Sequence, residues 1–260
     1  MAAWKQDARA EHAVKCNLVY GIVLLDLVKA FERIRHAYLL KAAIQHAYPL
    51  WLLRLSLATY RLFRIVRVGS ACSQTVQATR GITAGSGFAT SEMRLAVLTP
   101  LDDAHRAHPT VVPTAFVDDI ACELAATESI LLTHLVGFVL IVCNAMENTG
   151  NEISRKKSIC SASCSDVGMK MQKALEKFRI KFHQRVKRLG TGLGAGSVRN
   201  VTVLRKRLLG FRARLGRFVT LSRARVDTAK LLRTGGIQAM IFGEGVSGVS
   251  DSMLDTQRTS

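Results

Sequence analysis

Residues 110–124 read TVVPTAFVDDIACEL, and this stretch decides the fold. Two apolar segments meet at Asp118 and Asp119, which predicts two short strands joined by a tight turn. Acidic pairs in turns are most often solvated. Here apolar residues stand on both sides of the pair, so the pair lies next to a core, where an unpaired charge is costly. We therefore expect a cation to neutralise these carboxylates.

A further acidic residue closes the apolar run NLVYGIVLLDL at residues 17–27. The run predicts a buried central strand with Asp26 near its end. Mg²⁺ prefers hard oxygen ligands, and two such ions about 3.5–4 Å apart activate a 3′-hydroxyl and stabilise a leaving pyrophosphate. Asp26, Asp118 and Asp119 are therefore candidate ligands of two Mg²⁺ ions, with Mn²⁺ as an alternative.

The rest of the chain up to residue 150 alternates between helical and strand patterns. Helical spacing or long apolar runs predict helices at residues 29–47, 50–63, 90–107 and 128–146. The period falls to two around Gly69-Ser70, which predicts a hairpin over residues 64–79. We expect an α+β fold in which a three- or four-stranded antiparallel sheet carries Asp26 and the Asp118–Asp119 hairpin. Helices 29–47, 90–107 and 128–146 should cover the back face of that sheet.

The net charge of +18 is concentrated in one region of the chain. Residues 151–240 hold 22 Lys or Arg and 4 acidic residues, whereas the remainder holds 15 of each. A regional surplus of this size suits a polyanion such as nucleic acid, which is bound through its phosphates. The alternative is a well-solvated basic surface without a partner.

Cysteine spacing and hydropathy bear on the compartment. The six cysteines are scattered without the paired clusters of a zinc site, so we interpret them as reduced thiols of an intracellular protein, in the nucleus or the cytoplasm. The N-terminus, MAAWKQDARAEH, lacks the apolar core of a secretion signal. The best membrane candidate, residues 130–143, has 14 residues where spanning needs about 20, so we expect a buried helix and no membrane.

Five short motifs resemble those of one polymerase family. Residues 24–40, LLDLVKAFERIRHAYLL, and the FVDD of residues 116–119 resemble the first and third palm motifs of reverse transcriptases of the non-LTR retrotransposon and group II intron type. RGITAGSG (80–87), SRKKS (154–158) and VKRLG (186–190) stand where that family has its second motif, its lysine-bearing fourth motif and its primer-gripping hairpin. The five motifs occur in the family's order and cover residues 17–190.

The resemblance implies roles for individual residues. Asp26 and Asp118 would ligate the catalytic metals, with Asp119 as the neighbouring acid. Phe31 falls on the position of an aromatic gate that discourages a 2′-hydroxyl, and Lys157 would lie near the incoming triphosphate. The remaining implied contacts are to the nucleotide (Gly85) and to nucleic acid (Arg80, Gly81, Lys187, Arg188 and Gly190). The partners would be an RNA template, a DNA primer and deoxynucleoside triphosphates. The family's nucleotide-contacting glutamine is replaced by Ala84.

The resemblance also implies a domain organisation. Residues 1–200 would form the palm, with partial fingers elements within residues 50–85. Residues 201–260 would form a basic, helical, thumb-like segment. The spacing of apolar residues itself predicts helix over residues 204–232, and the Gly- and Ser-rich composition of the last twenty residues predicts poor order there. Only about 25 residues precede Asp26, where the family has a fingers subdomain, so we expect a fragment or a decayed copy.

Three other interpretations compete with a reverse transcriptase. A non-catalytic nucleic-acid-binding remnant would use the basic region and keep the acids as vestiges. An RNA-directed RNA polymerase palm shares the carboxylates, but an aromatic gate at Phe31 favours deoxynucleotides. GTGLGAG (190–196) matches a dinucleotide-binding fingerprint, yet neither an apolar strand before it nor a suitably placed acid after it supports that site.

Overall fold

The computed structural model describes residues 2–83, 85–196 and 199–259. Up to residue 148 the elements are α1 (Ala2–Lys15), β1 (Val19–Leu25), α2 (Ala30–Arg33), α3 (His36–Gln45), α4 (Leu50–Tyr60), β2 (Arg67–Val68), β3 (Ala71–Cys72), α5 (Ala89–Ala107), β4 (Val112–Phe116), β5 (Asp119–Ala126) and α6 (Glu128–Asn148). They are followed by β6 (Ile159–Ala162), α7 (Ser165–Ala174), β7 (Lys181–Phe182), β8 (Arg185–Arg188), β9 (Thr191–Gly194), α8 (Thr202–Arg212), α9 (Leu215–Arg223), α10 (Thr228–Leu231), α11 (Ile237–Ile241), α12 (Glu244–Ser247) and α13 (Asp251–Arg258).

Five strands form one mixed sheet in the order β4-β5-β1-β6-β7. Central β1 pairs antiparallel with both β5 and β6, and β4 and β5 form a hairpin. The predicted α+β class, the buried strand before Asp26 and the hairpin at the acidic pair are confirmed. The predicted three- or four-stranded, wholly antiparallel sheet is wrong, because β7 adds a parallel edge strand next to β6. With two residues, β7 is too short to show an alternating pattern in the sequence.

The back face of the sheet packs against α5 and α6. Successive strand residues point to opposite faces, so alternate residues of β1 and β5 share this side. These are Val23, Leu25, Ile120, Cys122 and Leu124, all in the largest buried cluster. At Gly21 an added Cβ would lie 3.1 Å from the side chains of Leu131 and Leu135 of α6, so glycine lets this helix approach β1 closely.

Helix α6 spans 21 residues, which confirms the helix predicted at residues 128–146. It is the one helix in the described residues that is long and apolar enough to cross a membrane, judged by length and composition alone. Its inner face is buried in the protein core through Leu135, Phe138 and Val142. The apolar run at 130–143 therefore lies in a helix that covers the sheet.

The front face of the sheet is covered as well. A second buried cluster joins Tyr20 and Ile22 of β1 to Ala10 and Ala13 of α1, and to Leu193 of β9. Helix α1 and the β8–β9 hairpin therefore pack on the side of the sheet opposite α6. At the end of this face near Asp26 a pocket opens.

Two predicted helices are interrupted. The segment 29–47 splits into α2 and α3 because Ile34 and Arg35 adopt extended backbone between them. There the Gly81 N–H donates to the Ile34 carbonyl at 2.8 Å, so a tertiary contact replaces a helical hydrogen bond. The segment 204–232 forms α8, α9 and α10, and α9 ends just before Arg225, whose φ of 62° is left-handed.

The last twenty residues contain α12 and α13 instead of the expected irregular chain. Met253 of α13 is buried in a small cluster with Leu204 and Leu208 of α8. Burial against α8 stabilises this segment, and local composition carries no sign of such a distant contact.

Candidate metal centre

The acidic pair lies at the turn of the β4–β5 hairpin. Phe116 pairs with Asp119, so Val117 and Asp118 form a two-residue turn. Val117 has a φ of 59°, which is unusual for a β-branched residue and stores strain. Its side chain packs against the main core, which holds this turn in place. Strained backbone of this kind clusters at functional sites, so the turn is a candidate for one.

Strand register brings Asp26 and Asp119 together. Leu25 pairs with Ile120, so the next position along each strand sets Asp26 across from Asp119. Side chains alternate between the two faces along a strand, so Asp26 lies on the same face as Ile22, and Asp119 lies on the same face as Ala121. Ile22 and Ala121 both belong to the front face. Both carboxylates therefore lie at the open end of the front face. The resemblance paired Asp26 with Asp118, whereas the register sets Asp119 across from it and leaves Asp118 in the turn.

The loop before β6 holds the backbone of Asp26. The Asp26 N–H donates to Ser158 Oγ at 3.1 Å, and the Asp26 carbonyl accepts the Ser154 N–H at 2.8 Å. Leu27 forms an isolated bridge with Ile153. The SRKKS motif therefore lies beside the first motif and fixes the position from which the Asp26 carboxylate projects.

Lys157 reaches the Asp26 carboxylate from the same loop. Its Nζ lies 3.3 Å from Oδ1 and from Oδ2 of Asp26. The lysine side chain is 72% exposed, so this ion pair adds little to stability and leaves the amine free to turn toward a bound anion.

A pocket of about 290 Å³ opens at this end of the sheet. Six of the predicted site residues line it: Asp26, Asp119, Lys157, Lys187, Arg188 and Gly190. Asp118 is not among the residues that line it. The pocket therefore combines two carboxylates with three basic side chains, a charge pattern suited to a cation and a phosphate bound together.

The electrostatics of Asp119 fit a nearby cation. Burial raises the pKa of Asp119, and the negative charges of Asp118 and Asp26 raise it further, while Arg188 and Lys157 act against them. The described residues contain no group of three or more His, Cys, Asp or Glu side chains that could hold a metal ion. Mg²⁺ is commonly bound by one or two carboxylates together with waters and substrate phosphates, so the carboxylates of Asp26 and Asp119 are a suitable protein share.

Arg188 is buried rather than solvent-facing, with 5% of its surface exposed. Within the described part of the chain, its two terminal nitrogens have no hydrogen-bond partner. Burial lowers its pKa, while the charges of Glu123 and Asp119 oppose that shift. The guanidinium therefore acts as a buried countercharge beneath the pocket, and any contact with nucleic acid would need its side chain to move.

Glu123 is a functional candidate that the sequence analysis missed. It is 1% exposed, on the front face of β5, and it accepts hydrogen bonds from Arg9 of α1 and from Tyr20 of β1. Its charge also raises the pKa of Tyr20, after burial. The alternation in DDIACEL places Glu123 on the same side of the strand as Asp119, which is a signal that the sequence did contain.

The second motif lies against the first through backbone contacts. The Ile82 N–H donates to the Phe31 carbonyl at 2.7 Å, and an added Cβ on Gly81 would lie 3.3 Å from the Glu32 carbonyl oxygen. Phe31 is half-buried and packs against the main core. These contacts explain a glycine at position 81, whose φ is 96°.

Other predicted residues of this motif stay apart from the pocket. Arg80 is exposed and forms an isolated bridge with Arg35. Gly85 has a φ of 92°, and a Cβ added there would meet no described atom within 4 Å. Ala84, which replaces the family's glutamine, lies outside the described residues.

The VKRLG motif forms a tight hairpin. Leu189 and Gly190 occupy the two-residue turn between β8 and β9 with φ values of 44° and 81°. Positive φ at both positions is the signature of a type I′ turn, which suits the twist of paired strands. Arg207 of α8 donates to the Gly190 carbonyl at 2.7 Å, so the basic C-terminal region holds the turn beside the pocket.

A scan of the chain against protein-family models found no match, and a search of curated proteins found none either. The likeness of the five motifs to reverse transcriptases therefore stays a prediction.

Proposed function

We propose that the chain is the palm of an RNA-directed DNA polymerase of the reverse-transcriptase type, which extends a DNA primer on an RNA template. The observation that carries this proposal is the placement of Asp26 and Asp119 across adjacent strands, in one pocket with Lys157. Separate sequence motifs meet at this pocket although they are far apart along the chain.

Each side chain has a defined task in this proposal. Asp26 and Asp119 would hold Mg²⁺, which when bound supplies Lewis-acid stabilisation of charge on the reacting phosphate. Lys157 would turn from Asp26 to the triphosphate and stabilise the leaving pyrophosphate. Phe31 would lie under the sugar and favour deoxynucleotides. Arg188 would keep Asp119 ionised, because its positive charge opposes the two neighbouring acids.

The test is metal-dependent primer extension on an RNA template by the full chain and by Asp119→Asn. We expect extension to fall on the order of 10²-fold or more, the usual cost of losing an electrostatic group aimed at the reacting atoms. Asp103→Asn is the matched control, because Asp103 is an exposed residue of α5 whose ion-pair partner is neighbouring Arg106 and which does not line the pocket. Equal extension by wild type and Asp119→Asn would refute the catalytic assignment.

A non-catalytic nucleic-acid-binding remnant is the second candidate. Two observations favour it: the described residues lack a three-ligand metal group, and Lys157 already neutralises Asp26. This candidate predicts tight binding of nucleic acid in EDTA and no extension by either protein. The polymerase candidate predicts extension that requires added Mg²⁺ and that Asp119→Asn lowers on the order of 10²-fold or more.

A further inference from the structure

A second and larger pocket, of about 850 Å³, lies between β8 and the helices α8, α9 and α11. Its volume is within the range of about 300–1,000 Å³ that is typical of small-molecule sites. It is distinct from the candidate metal centre, although Lys187 of β8 lines both pockets.

The rim of this pocket is basic. Arg185, Lys187, Lys206, Arg207 and Arg214 line it, and no acidic residue of the described chain does so. Four of these residues are exposed and take part in none of the ion pairs of the described chain: Arg185, Lys187, Lys206 and Arg214. Four uncompensated cations around one concave site attract an anion and concentrate it there.

The interior of this pocket is apolar and partly aromatic. Phe211 and Phe218 line it with ring centroids 6.3 Å apart and a tilt of 39° between the rings. Leu231 and Met240 complete the apolar side. An inorganic anion would leave this surface exposed, and a purely apolar ligand would leave the cations unmatched. The pocket instead matches a ligand with a flat, largely apolar body joined to a phosphate.

We propose that this pocket binds one unpaired nucleotide, with its base against the phenylalanines and its phosphate among the basic side chains. Aromatic side chains stack with any base, and basic side chains track the phosphates, which is how single strands are commonly bound. A base inside a duplex is already stacked and paired, so it would have to be extruded first. The proposal requires no metal and does not rest on the polymerase function.

Gly210 offers a test that leaves the charge of the pocket unchanged. Gly210 lines the pocket from α8, and an added Cβ there has no neighbour within 4 Å, so Gly210→Leu adds apolar volume at the pocket wall where its first side-chain atom has room. Gly216 of α9 has equally open surroundings but does not line the pocket, so Gly216→Leu is the matched control. Gly235 also lines the pocket, and an added Cβ there likewise has no neighbour within 4 Å, so Gly235→Leu replaces Gly210→Leu if that variant does not fold.

The assay is fluorescence anisotropy in EDTA with a labelled oligo-dA single strand, the duplex of the same sequence as competitor, and dAMP as a second competitor. We expect Gly210→Leu to weaken single-strand binding by about tenfold, the effect of losing one stacked base, and Gly216→Leu to bind as wild type does. The unlabelled single strand should compete better than the duplex. Displacement by dAMP assigns the site to free nucleotides, and displacement by the oligonucleotide alone assigns it to a nucleotide within a strand.

Equal affinity of Gly210→Leu and Gly216→Leu for the single strand would overturn the proposal. Equal competition by duplex and single strand would overturn it too, because both results would mean that the basic surface binds phosphates without using the pocket. Absence of primer extension by the wild-type chain, together with this single-strand binding, would instead count against the polymerase function alone.

Discussion

We expect the negative charge of Glu123, on the front face of the sheet, to contribute to the free energy of unfolding. Its carboxylate is almost fully buried, while its ion-pair partner Arg9 has 45% of its side chain exposed. The charge of Glu123 also acts on Arg188, which is 5% exposed and whose two terminal nitrogens have no hydrogen-bond partner among the described residues. Glu123→Gln keeps the shape and the hydrogen bond from Tyr20 but removes the negative charge that faces Arg188.

The two consequences of Glu123→Gln differ in size. Losing an ion pair with a half-exposed arginine costs below about 1 kcal/mol. Leaving a buried arginine without its countercharge costs about 3–5 kcal/mol. Because Asp119 still compensates part of the charge of Arg188, we expect the free energy of unfolding to fall by about 3 kcal/mol, near the low end of that range. Arg188→Met should be nearly neutral, since it removes a buried cation with unsatisfied donors while Glu123 keeps the hydrogen bonds from Arg9 and Tyr20.

Urea unfolding at pH 7, followed by far-UV circular dichroism, measures these changes. Glu128→Gln is the matched control, because Glu128 pairs with Lys170 at the surface and should change stability by less than about 1 kcal/mol. The double variant Glu123→Gln/Arg188→Met should recover about 2 kcal/mol relative to Glu123→Gln alone. The reasoning fails if Arg188→Met costs as much as Glu123→Gln, or if the double variant shows no recovery.

Two further predictions concern stability. Burial, and after it the charge of Glu11, raises the pKa of Asp7 from 3.8 to about 7. The stability that protonated Asp7 contributes is therefore fully present below about pH 4, and it is lost as the pH rises through about 7. Asp7→Asn should therefore raise the Tm at pH 8 and leave it unchanged at pH 4 in thermal scans, and a constant difference across pH would contradict the assignment. Gly168→Ala should lower the free energy of urea unfolding by about 1–3 kcal/mol, because its Cβ would lie 2.1 Å from the ring of Phe182, and unchanged stability would show that this ring moves freely.

Several elements could be predicted because their signals are local. The apolar run before Asp26 and the FVDD turn carry strand and turn signals within a few residues, and the structure confirms both elements. The helix at residues 128–146 is equally clear, since a long apolar run bounded by polar residues predicts it. The break at Ile34 within the predicted helix 29–47 was missed because its cause is a hydrogen bond from the N–H of Gly81, which is far away in the sequence, to the Ile34 carbonyl.

The sequence alone determined which residue types approach the candidate metal centre: Asp26 at the end of a buried strand, an acidic pair in a turn, and Lys157 in a basic loop. The tertiary structure decided which of these side chains face each other. Strand register sets Asp119 across from Asp26, and the covering of the front face turns Arg188 inward toward Glu123. Pattern and propensity depend on neighbours along the chain, whereas register and burial depend on contacts between residues more than 90 positions apart, as between Asp26 and Asp119.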